Sequence, residues 1–230
     1  MERYNIVPKI LALGDCNTLG IRSLVGNAYP ERFAKAINKT VSNCGFTMST
    51  TNEMLHFFKD FKEKETEIIL IQYGLVDSWK TFTYAPYVLY YPDNKIRKTF
   101  RKIVKKYKKI AKSLGLNRLL GVSNVVSLDA YRHNIESVIK QSKDCMIFLI
   151  STIPHQDISR NSDIMRYNKV LSQLSEQYEH VYYVDLYNDF LTHKEYYLDR
   201  THMNEKGYEI MTEKVLSLYE LSEQGKRNKI

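Results

Sequence analysis

The stretch ILALGDCNTLG, residues 10–20, decides the fold. It begins as an apolar run and ends in Gly14 and Asp15, with Cys16 directly after them. A buried strand that runs into a tight turn delivers one reactive side chain at its end. The stretch therefore predicts a buried first strand, with Cys16 as a candidate nucleophile on the following turn.

Four more segments have the composition of buried strands. They are EIILIQY (67–73), CMIFLIS (145–151), VYYVDL (181–186) and, more weakly, KTVSN near residue 41. Helical patterns alternate with them at 30–37, 50–61, 95–112, 128–141, 163–178 and 204–220. This alternation predicts an α/β fold with a mostly parallel sheet covered on both faces. The segments after the strands then meet at one sheet edge, where ligands bind.

Composition and length predict a single domain over residues 1–222 with a short polar C-terminal tail at 223–230. No apolar stretch approaches the roughly 18 residues of a membrane span. The N-terminus makes a poor signal peptide. The three cysteines lack the spacing of a disulfide framework or a zinc site. A cytoplasmic protein is therefore expected.

The net charge of +8 is concentrated in one segment. Residues 95–112 hold ten Lys/Arg and no acid, so the rest of the chain has 34 − 10 = 24 basic against 26 acidic residues. Apolar residues recur at helical spacing within or just after this segment: Ile96, Phe100, Ile103, Val104, Tyr107, Ile110, Ala111 and Leu114. We interpret it as a helix with a packed apolar stripe and a solvated basic face. The alternative is a docking surface for an anionic polymer, substrate or membrane; no nucleic-acid-binding module accompanies the charge.

The segment YYLDRTHMNEKGYEIM, residues 196–211, places Asp199 and His202 three residues apart before the last helix. A carboxylate in the same turn as a histidine can fix the tautomer of the imidazole. A lone Asp-x-x-His is a weak motif that is common on surface loops. Its position between the last strand and the last helix makes this pair a candidate catalytic acid and base.

Together, four segments resemble the signature blocks of the SGNH/GDSL hydrolases. In chain order they are GDCNTLG, NCGFTMST (43–50), IQYGLVDSW (71–79) and DRTHMNEKGY. The resemblance implies a three-layer α/β/α sandwich with a central parallel sheet of about five strands. It also implies acyl-ester hydrolysis or acyl transfer without a metal or an organic cofactor. The implied catalytic residues are Cys16, His202 and Asp199, with the backbone N–H groups of Cys16 and Gly45 forming the oxyanion hole.

Two positions depart from the family pattern. Cys16 occupies the place of the nucleophilic serine, and Val76 occupies that of an asparagine that donates to the oxyanion. A thiol is intrinsically more nucleophilic than a hydroxyl. The strand end, a nearby helix N-terminus and His202 predict a lowered thiol pKa for Cys16. The alternatives are a degenerate site or an engineered residue.

Other residues at the predicted edge are candidates for substrate binding. They are Asp15, Asn43, Gly74, Asp77, Trp79 and His155. Trp79 and the tyrosines after it can stack on sugar rings, the alternative being ordinary packing. Asn43, Gln72 or Ser78 could supply the missing oxyanion donor.

These features predict an acyl esterase or acyltransferase that acts on an O-acetylated carbohydrate through an acyl-enzyme on Cys16. The predicted partner is a small-molecule or glycan acyl ester. The alternative is a catalytically impaired protein of the same fold that binds an acidic glycan or an acyl ligand.

Overall fold

A five-stranded parallel sheet forms the centre of the protein. The computed structural model describes residues 7–227, with side chains as far as residue 224. The central strands are β1 Ile10–Gly14, β2 Val41–Gly45, β3 Ile68–Gln72, β6 Met146–Ile150 and β7 Val181–Val184, in the spatial order β2-β1-β3-β6-β7. The predicted α/β sandwich with five parallel strands is confirmed.

Helices cover both faces of this sheet. The helices are α1 Cys16–Leu19, α2 Tyr29–Ala36, α3 Thr51–Phe61, α4 Lys95–Ser113, α5 Leu116–Leu120, α6 Leu128–Lys140, α7 Asn161–Ser175, α8 Tyr187–Leu191 and α9 Glu205–Arg227. One face packs against α3, α6 and α7, and the other against α2, α8 and α9. In β1, Leu11 and Leu13 belong to the first core while Ile10 and Ala12 belong to the second. Burial of both faces explains why β1 is a continuous apolar run.

The strand register aligns the carboxyl ends of the three neighbouring strands. Gly14 pairs with Gly45 of β2 on one side and with Gln72 of β3 on the other. The segments that leave β1, β2 and β3 therefore start at the same level of one sheet edge. This edge holds the residues discussed below.

A small antiparallel ribbon, which the sequence does not predict, stands outside the central sheet. Its strands are β4 Lys80–Phe82 and β5 Val122–Asn124. Strands of three residues are too short to show an alternating pattern. The ribbon frames an insertion between β3 and β6 that carries α4 and α5.

The interpretation of α4 as a helix with a packed apolar stripe is wrong. Six large apolar side chains on it or at its C-cap are between 40% and 70% exposed: Ile96, Phe100, Ile103, Tyr107, Ile110 and Leu114. Only Val104 and Ala111 are buried. The physical reason is topological. Helices α3, α6 and α7 already cover one face of the central sheet, and α2, α8 and α9 cover the other. No face of that sheet is left for α4 to cover.

The C-terminal helix is longer than the pattern at 204–220 indicates. Helix α9 continues to Arg227, so residues 223–227 of the predicted tail are helical. Residues 228–230 lie outside the described residues. No helix within 7–227 combines the length and the apolar character needed to cross a bilayer.

Gly45 lies where β2 and α1 approach each other closely. A Cβ atom at this position would lie 2.2 Å from the backbone nitrogen of Leu19 and 2.6 Å from its Cα atom. Backbone atoms cannot rotate out of the way as a flexible side chain can. The spacing of β2 and α1 therefore requires glycine here.

We expect Gly45→Ala to lower the free energy of unfolding by about 1–3 kcal/mol, the usual cost of overpacking. Urea denaturation followed by circular dichroism measures the change. Ser42→Ala, at a partly exposed position of the same strand, is the matched control and should stay near the parent. Equal midpoints for the two variants would contradict the close approach of β2 and α1.

Candidate active site

Cys16 begins α1 directly after β1, and its sulfur faces His202. The Cys16 Sγ and His202 Nε2 atoms lie 3.2 Å apart. Asp15 caps the helix, since its Oδ1 atom accepts the backbone N–H of Asn17 at 2.9 Å. Cys16 and His202 are 186 positions apart in the chain, and the fold brings them within hydrogen-bond reach.

The other ring nitrogen of His202 contacts Asp199. The Nδ1 atom lies 2.8 Å from Oδ2 and 3.0 Å from Oδ1 of the carboxylate. Oδ1 also accepts the backbone N–H groups of Thr201 and His202. A carboxylate on Nδ1 favours the tautomer that carries its proton there. Nε2 is then left with a lone pair that can accept the Cys16 proton.

Asn17 ties α1 to the loop that carries His202, a role that the sequence analysis missed. Its Nδ2 atom donates to the carbonyl of Thr201 at 3.3 Å, and its Oδ1 atom accepts the N–H of Met203 at 3.4 Å. Its own carbonyl accepts the Tyr208 hydroxyl at 2.8 Å. An asparagine beside the candidate nucleophile was the only signal in the sequence.

The Cys16 thiol does not have the lowered pKa that the sequence predicts. Burial raises its pKa far above the ordinary value, and the charge of Asp15 acts in the same direction. The backbone N–H groups of Cys16 and Asn17 oppose the rise without cancelling it. The prediction fails because it considered the helix terminus and His202 but not the loss of water, which disfavours a thiolate. A neutral thiol thus faces the imidazole at rest.

Asp199 has the opposite behaviour. Its burial acts to raise the pKa of its carboxyl, but hydrogen bonds from the His202 ring and from the His202 and Thr201 amides outweigh that effect. The net pKa lies below the ordinary value. Asp199 is therefore ionised at neutral pH and can stabilise a positive charge on His202.

Gly45 and Asn43 are already engaged with each other, contrary to the roles predicted for them. The Gly45 N–H donates to Asn43 Oδ1 at 2.8 Å. The Asn43 Nδ2 atom donates to the Thr18 carbonyl and to Glu31 Oε1, each at 2.8 Å. Neither the predicted oxyanion donor nor the predicted substrate contact is available. Instead, these bonds hold β2 against α1.

The two carboxylates predicted to bind substrate also have structural roles. Asp77 is fully buried, and its Oδ1 atom accepts the N–H and the hydroxyl of Thr51 at the start of α3. Asp15 is 2% exposed and caps α1. Their burial leaves no surface for a substrate. The predictions fail because a motif shows which residues are near the site but not which way they face.

Gly74 and His155 are likewise not placed as substrate contacts. Gly74 is buried with φ +129°, a conformation that favours glycine. The His155 Nδ1 atom accepts the Asp157 N–H at 2.8 Å, and its Nε2 atom lies 3.2 Å from the Thr201 hydroxyl. His155 thereby supports the loop that carries His202.

Trp79 lines a cavity of about 700 Å³, so its predicted position beside a binding space is compatible with the structure. Val76 lies at the same cavity and has no donor to replace the asparagine of the family. Neither Cys16 nor His202 lines it. Leu75, next to Val76, packs in one cluster with Cys16. The cavity is therefore adjacent to the Cys16 site and separate from it.

Comparison with known proteins agrees with this architecture. A model of the GDSL-like lipase/acylhydrolase family matches residues 12–210. No curated protein sequence matches the chain. The chain is similar to a lipase/acylhydrolase from Enterococcus faecalis, with 17% identity, a TM-score of 0.62 and coverage of 94% of this chain and 96% of that one.

Two further solved structures share the fold. A member of the lipolytic protein G-D-S-L family from Veillonella parvula DSM 2008 has 14% identity and a TM-score of 0.61, over 91% of this chain and 97% of that one. A catalytic mutant of an acetylxylan esterase from Geobacillus stearothermophilus has 16% identity and a TM-score of 0.63, over 91% and 93%. At these identities the likeness concerns the fold alone.

Asp15 generates a testable pH dependence of stability. Burial raises the pKa of its carboxyl from 3.8 to about 7, with the Asn17 N–H opposing and Asp77 adding to the rise. The folded state therefore holds this proton more tightly than the unfolded state. The stabilisation that this bound proton gives the folded state is complete below pH 4, and it is lost as the pH rises through about 7.

We expect Asp15→Asn, which keeps an acceptor for the cap, to remove this slope. Between pH 4 and 7, the free energy of unfolding should fall less steeply than in the parent, by up to about 1.4 kcal/mol per pH unit. Urea denaturation at several pH values measures it. Asp157→Asn alters an exposed cap whose pKa is lowered and should leave the slope in place. Identical slopes for the parent and Asp15→Asn would contradict the raised pKa.

Proposed function

The chain belongs to the GDSL-like lipase/acylhydrolase family, and from that premise we propose that it hydrolyses an acyl ester through a covalent intermediate on Cys16. The observation that carries the proposal is the 3.2 Å contact between Cys16 Sγ and His202 Nε2, with Asp199 on the other ring nitrogen. Nucleophile, base and orienting carboxylate stand in the order that acyl transfer requires.

The first step forms an acyl-thioester. Cys16 Sγ attacks the ester carbonyl while its proton passes to His202 Nε2, so the thiolate does not accumulate beforehand. Asp199 stabilises the imidazolium that results. His202 then returns the proton to the departing alkoxide, which leaves as an alcohol, and the sulfur keeps the acyl group.

The second step regenerates the thiol. A water molecule gives a proton to His202 and attacks the thioester carbonyl, and the C–S bond breaks as the carboxylic acid forms. The proton on His202 returns to the sulfur. An acceptor hydroxyl in place of water would give transfer of the acyl group instead.

Two backbone N–H groups are our candidates for the oxyanion hole, those of Cys16 and Met48. The Met48 N–H has no hydrogen-bond acceptor among the described residues, whereas the Cys16 N–H is directed at its own sulfur and the Gly45 N–H is bound to Asn43. Met48 lies in the turn after β2 with φ +64° and lines the cavity beside Val76. Because one side-chain donor is lost at Val76, we expect slow catalysis, as removal of one donor costs about 10²–10³ in rate elsewhere.

We propose a carbohydrate ester as the substrate class. The similar structure from Geobacillus stearothermophilus is described as an acetylxylan esterase. The cavity next to the Cys16 site is lined by Trp79, Tyr87 and Tyr90, side chains with both apolar faces and polar groups. Such side chains suit sugar rings, which also have apolar faces and hydroxyl edges.

A second candidate function is binding without turnover. Cys16 is only 7% exposed, burial raises the pKa of its thiol, and Val76 lacks a donor. Each of these features would slow the attack on an ester. A protein of this fold with so hindered a nucleophile could retain an acidic glycan or an acyl ligand.

Variants of Cys16 separate the two candidates. With p-nitrophenyl acetate, Cys16→Ala should lose at least about 10³-fold in rate, since nothing else can accept the acyl group. Cys16→Ser should retain or exceed the parent rate, because its hydroxyl lies beside an unchanged His202 and Asp199. Intact-mass measurement should find one acetyl group on the parent and none on Cys16→Ala.

Cys145→Ser is the control and should remain active. Cys145 is also buried, but it precedes β6 at the sheet edge opposite to Cys16. An unaltered rate in Cys16→Ala would remove Cys16 from the mechanism. If neither the parent nor Cys16→Ser forms an acetyl adduct or turns over, binding without catalysis becomes the better account.

A further inference from the structure

The 700 Å³ cavity beside the Cys16 site has an unusual concentration of positive charge. It is lined by residues of α4 and of the segment 76–90. The cationic side chains among them are Lys80, Lys98, Arg101, Lys102, Lys105 and Lys108. A space enclosed by so many charges of one sign attracts ligands of the opposite sign.

Half of these cations have carboxylate partners, and half do not. Lys80 contacts Asp163, while Lys98 and Arg101 share Asp93. The other three are Lys102, Lys105 and Lys108, and none of them contacts a carboxylate anywhere in the described part of the chain.

Lys108 shows the cost of this arrangement most clearly. It is half-buried, and burial alone lowers the pKa of its ammonium group. No nearby acid compensates for the lost water. Charged groups that leave water are normally paired, so a partner that the protein does not supply is expected in the cavity.

The aromatic wall of the cavity adds an apolar surface to these charges. Trp79, Tyr87 and Tyr90 line the cavity together with the lysines. The cavity thus offers aromatic ring surface and three cations without a carboxylate partner.

The cavity is adjacent to the Cys16 site. Val76 and Met48 line it, and Leu75 connects it to the cluster around Cys16. We propose that the cavity binds an anionic group, a carboxylate or a phosphate, on the sugar portion of the ester substrate. This inference rests on the proposed function of Cys16 for the identity of the reaction, but not for the binding.

Trp79 permits a direct binding test, because it is the only tryptophan of the chain. We expect glucuronate or glucose 1-phosphate to change its fluorescence in a saturable way, and glucose to bind at least about tenfold more weakly. The two anions distinguish a carboxylate from a phosphate. Equal responses to glucose and to both anions would overturn the proposal.

Matched lysine variants locate the binding. The triple variant Lys102→Gln, Lys105→Gln, Lys108→Gln should weaken the response at least tenfold, as loss of charged contacts does. The triple variant Lys106→Gln, Lys109→Gln, Lys112→Gln changes the same charge on α4 outside the cavity and should bind like the parent. Equal weakening in both would show a general effect of charge and overturn the site.

The same readout separates this proposal from the catalytic one. Cys16→Ala should bind the anion as the parent does. Binding without any acetyl adduct would leave the anion site standing while the esterase proposal fails. Hydrolysis of p-nitrophenyl acetate with no anion response would do the reverse.

The exposed apolar stripe of α4 is an independent observation. None of its six residues lines the cavity, and the exposed side chains of Leu119 and Leu120 on α5 follow it in the chain. Helices with one apolar face and many lysines lie in membrane interfaces, with the apolar face buried in the lipid. We infer that this stripe docks on the surface of an anionic membrane.

Charge selects this occupant over a second copy of the chain. The 95–112 segment holds ten Lys/Arg and no acid, so two such helices face to face would repel each other. Anionic headgroups instead attract each nearby Lys or Arg.

Sedimentation with vesicles tests the inference. The protein should bind phosphatidylglycerol vesicles and not phosphatidylcholine vesicles. Phe100→Ser, Ile103→Ser, Ile110→Ser together should reduce binding at least about tenfold. The control variant Ile158→Ser, Leu191→Ser, Leu221→Ser changes equally exposed residues elsewhere and should bind like the parent.

Two results would overturn the membrane inference. One is the absence of binding to either kind of vesicle. The other is a dimer by light scattering that the stripe variant converts to a monomer, which would assign the stripe to a second copy of the chain.

Discussion

The hydrogen bonds of Asn17 join the two ends of the chain, and the candidate active site depends on them. Cys16 belongs to the first strand–helix turn, while His202 belongs to the last loop. Asn17 contacts the backbone on both sides of His202, at Thr201 and Met203. These bonds act together with the contact between His155 and Thr201 to hold the loop that carries His202. The 3.2 Å separation between the Cys16 sulfur and the His202 imidazole depends on both.

Burial and reactivity oppose each other at Cys16. The turn that fixes the sulfur also excludes water from it, and exclusion of water raises the pKa of the thiol. A preformed thiolate, which is the usual advantage of cysteine over serine, is therefore lost. In the mechanism that we propose, Cys16 acts as a serine does, with proton transfer to His202 during the attack. Such a mechanism needs no separate group to ionise the thiol beforehand.

Local patterns in the sequence predicted the elements of the central sheet, because buried strands are local features. The close approach of Cys16, Asp199 and His202 was implied by the resemblance to the SGNH/GDSL hydrolases and not by any local pattern. The direction of each side chain is not local. Gly45 and Asn43 bond to each other, and Asp77 turns toward Thr51, because of neighbours on other elements. The same holds for the thiol pKa, which depends on burial by residues distant in the chain.

Helix α4 shows this limit most plainly, and its stability argues for a role outside the core. Periodicity predicted its extent and its amphipathic character, but not the direction of its apolar face. Only two of its 19 residues are buried, so packing stabilises it weakly, and much of its support is local. The Asn94 side chain caps it, and Asp93 pairs with two of its cations. Most amphipathic helices are stabilised by packing their apolar face against a core. Helix α4 lacks this stabilisation in the isolated protein. A comparable stabilisation can come from an anionic ligand in the cavity on its cationic face, or from membrane lipid that covers its apolar outer face.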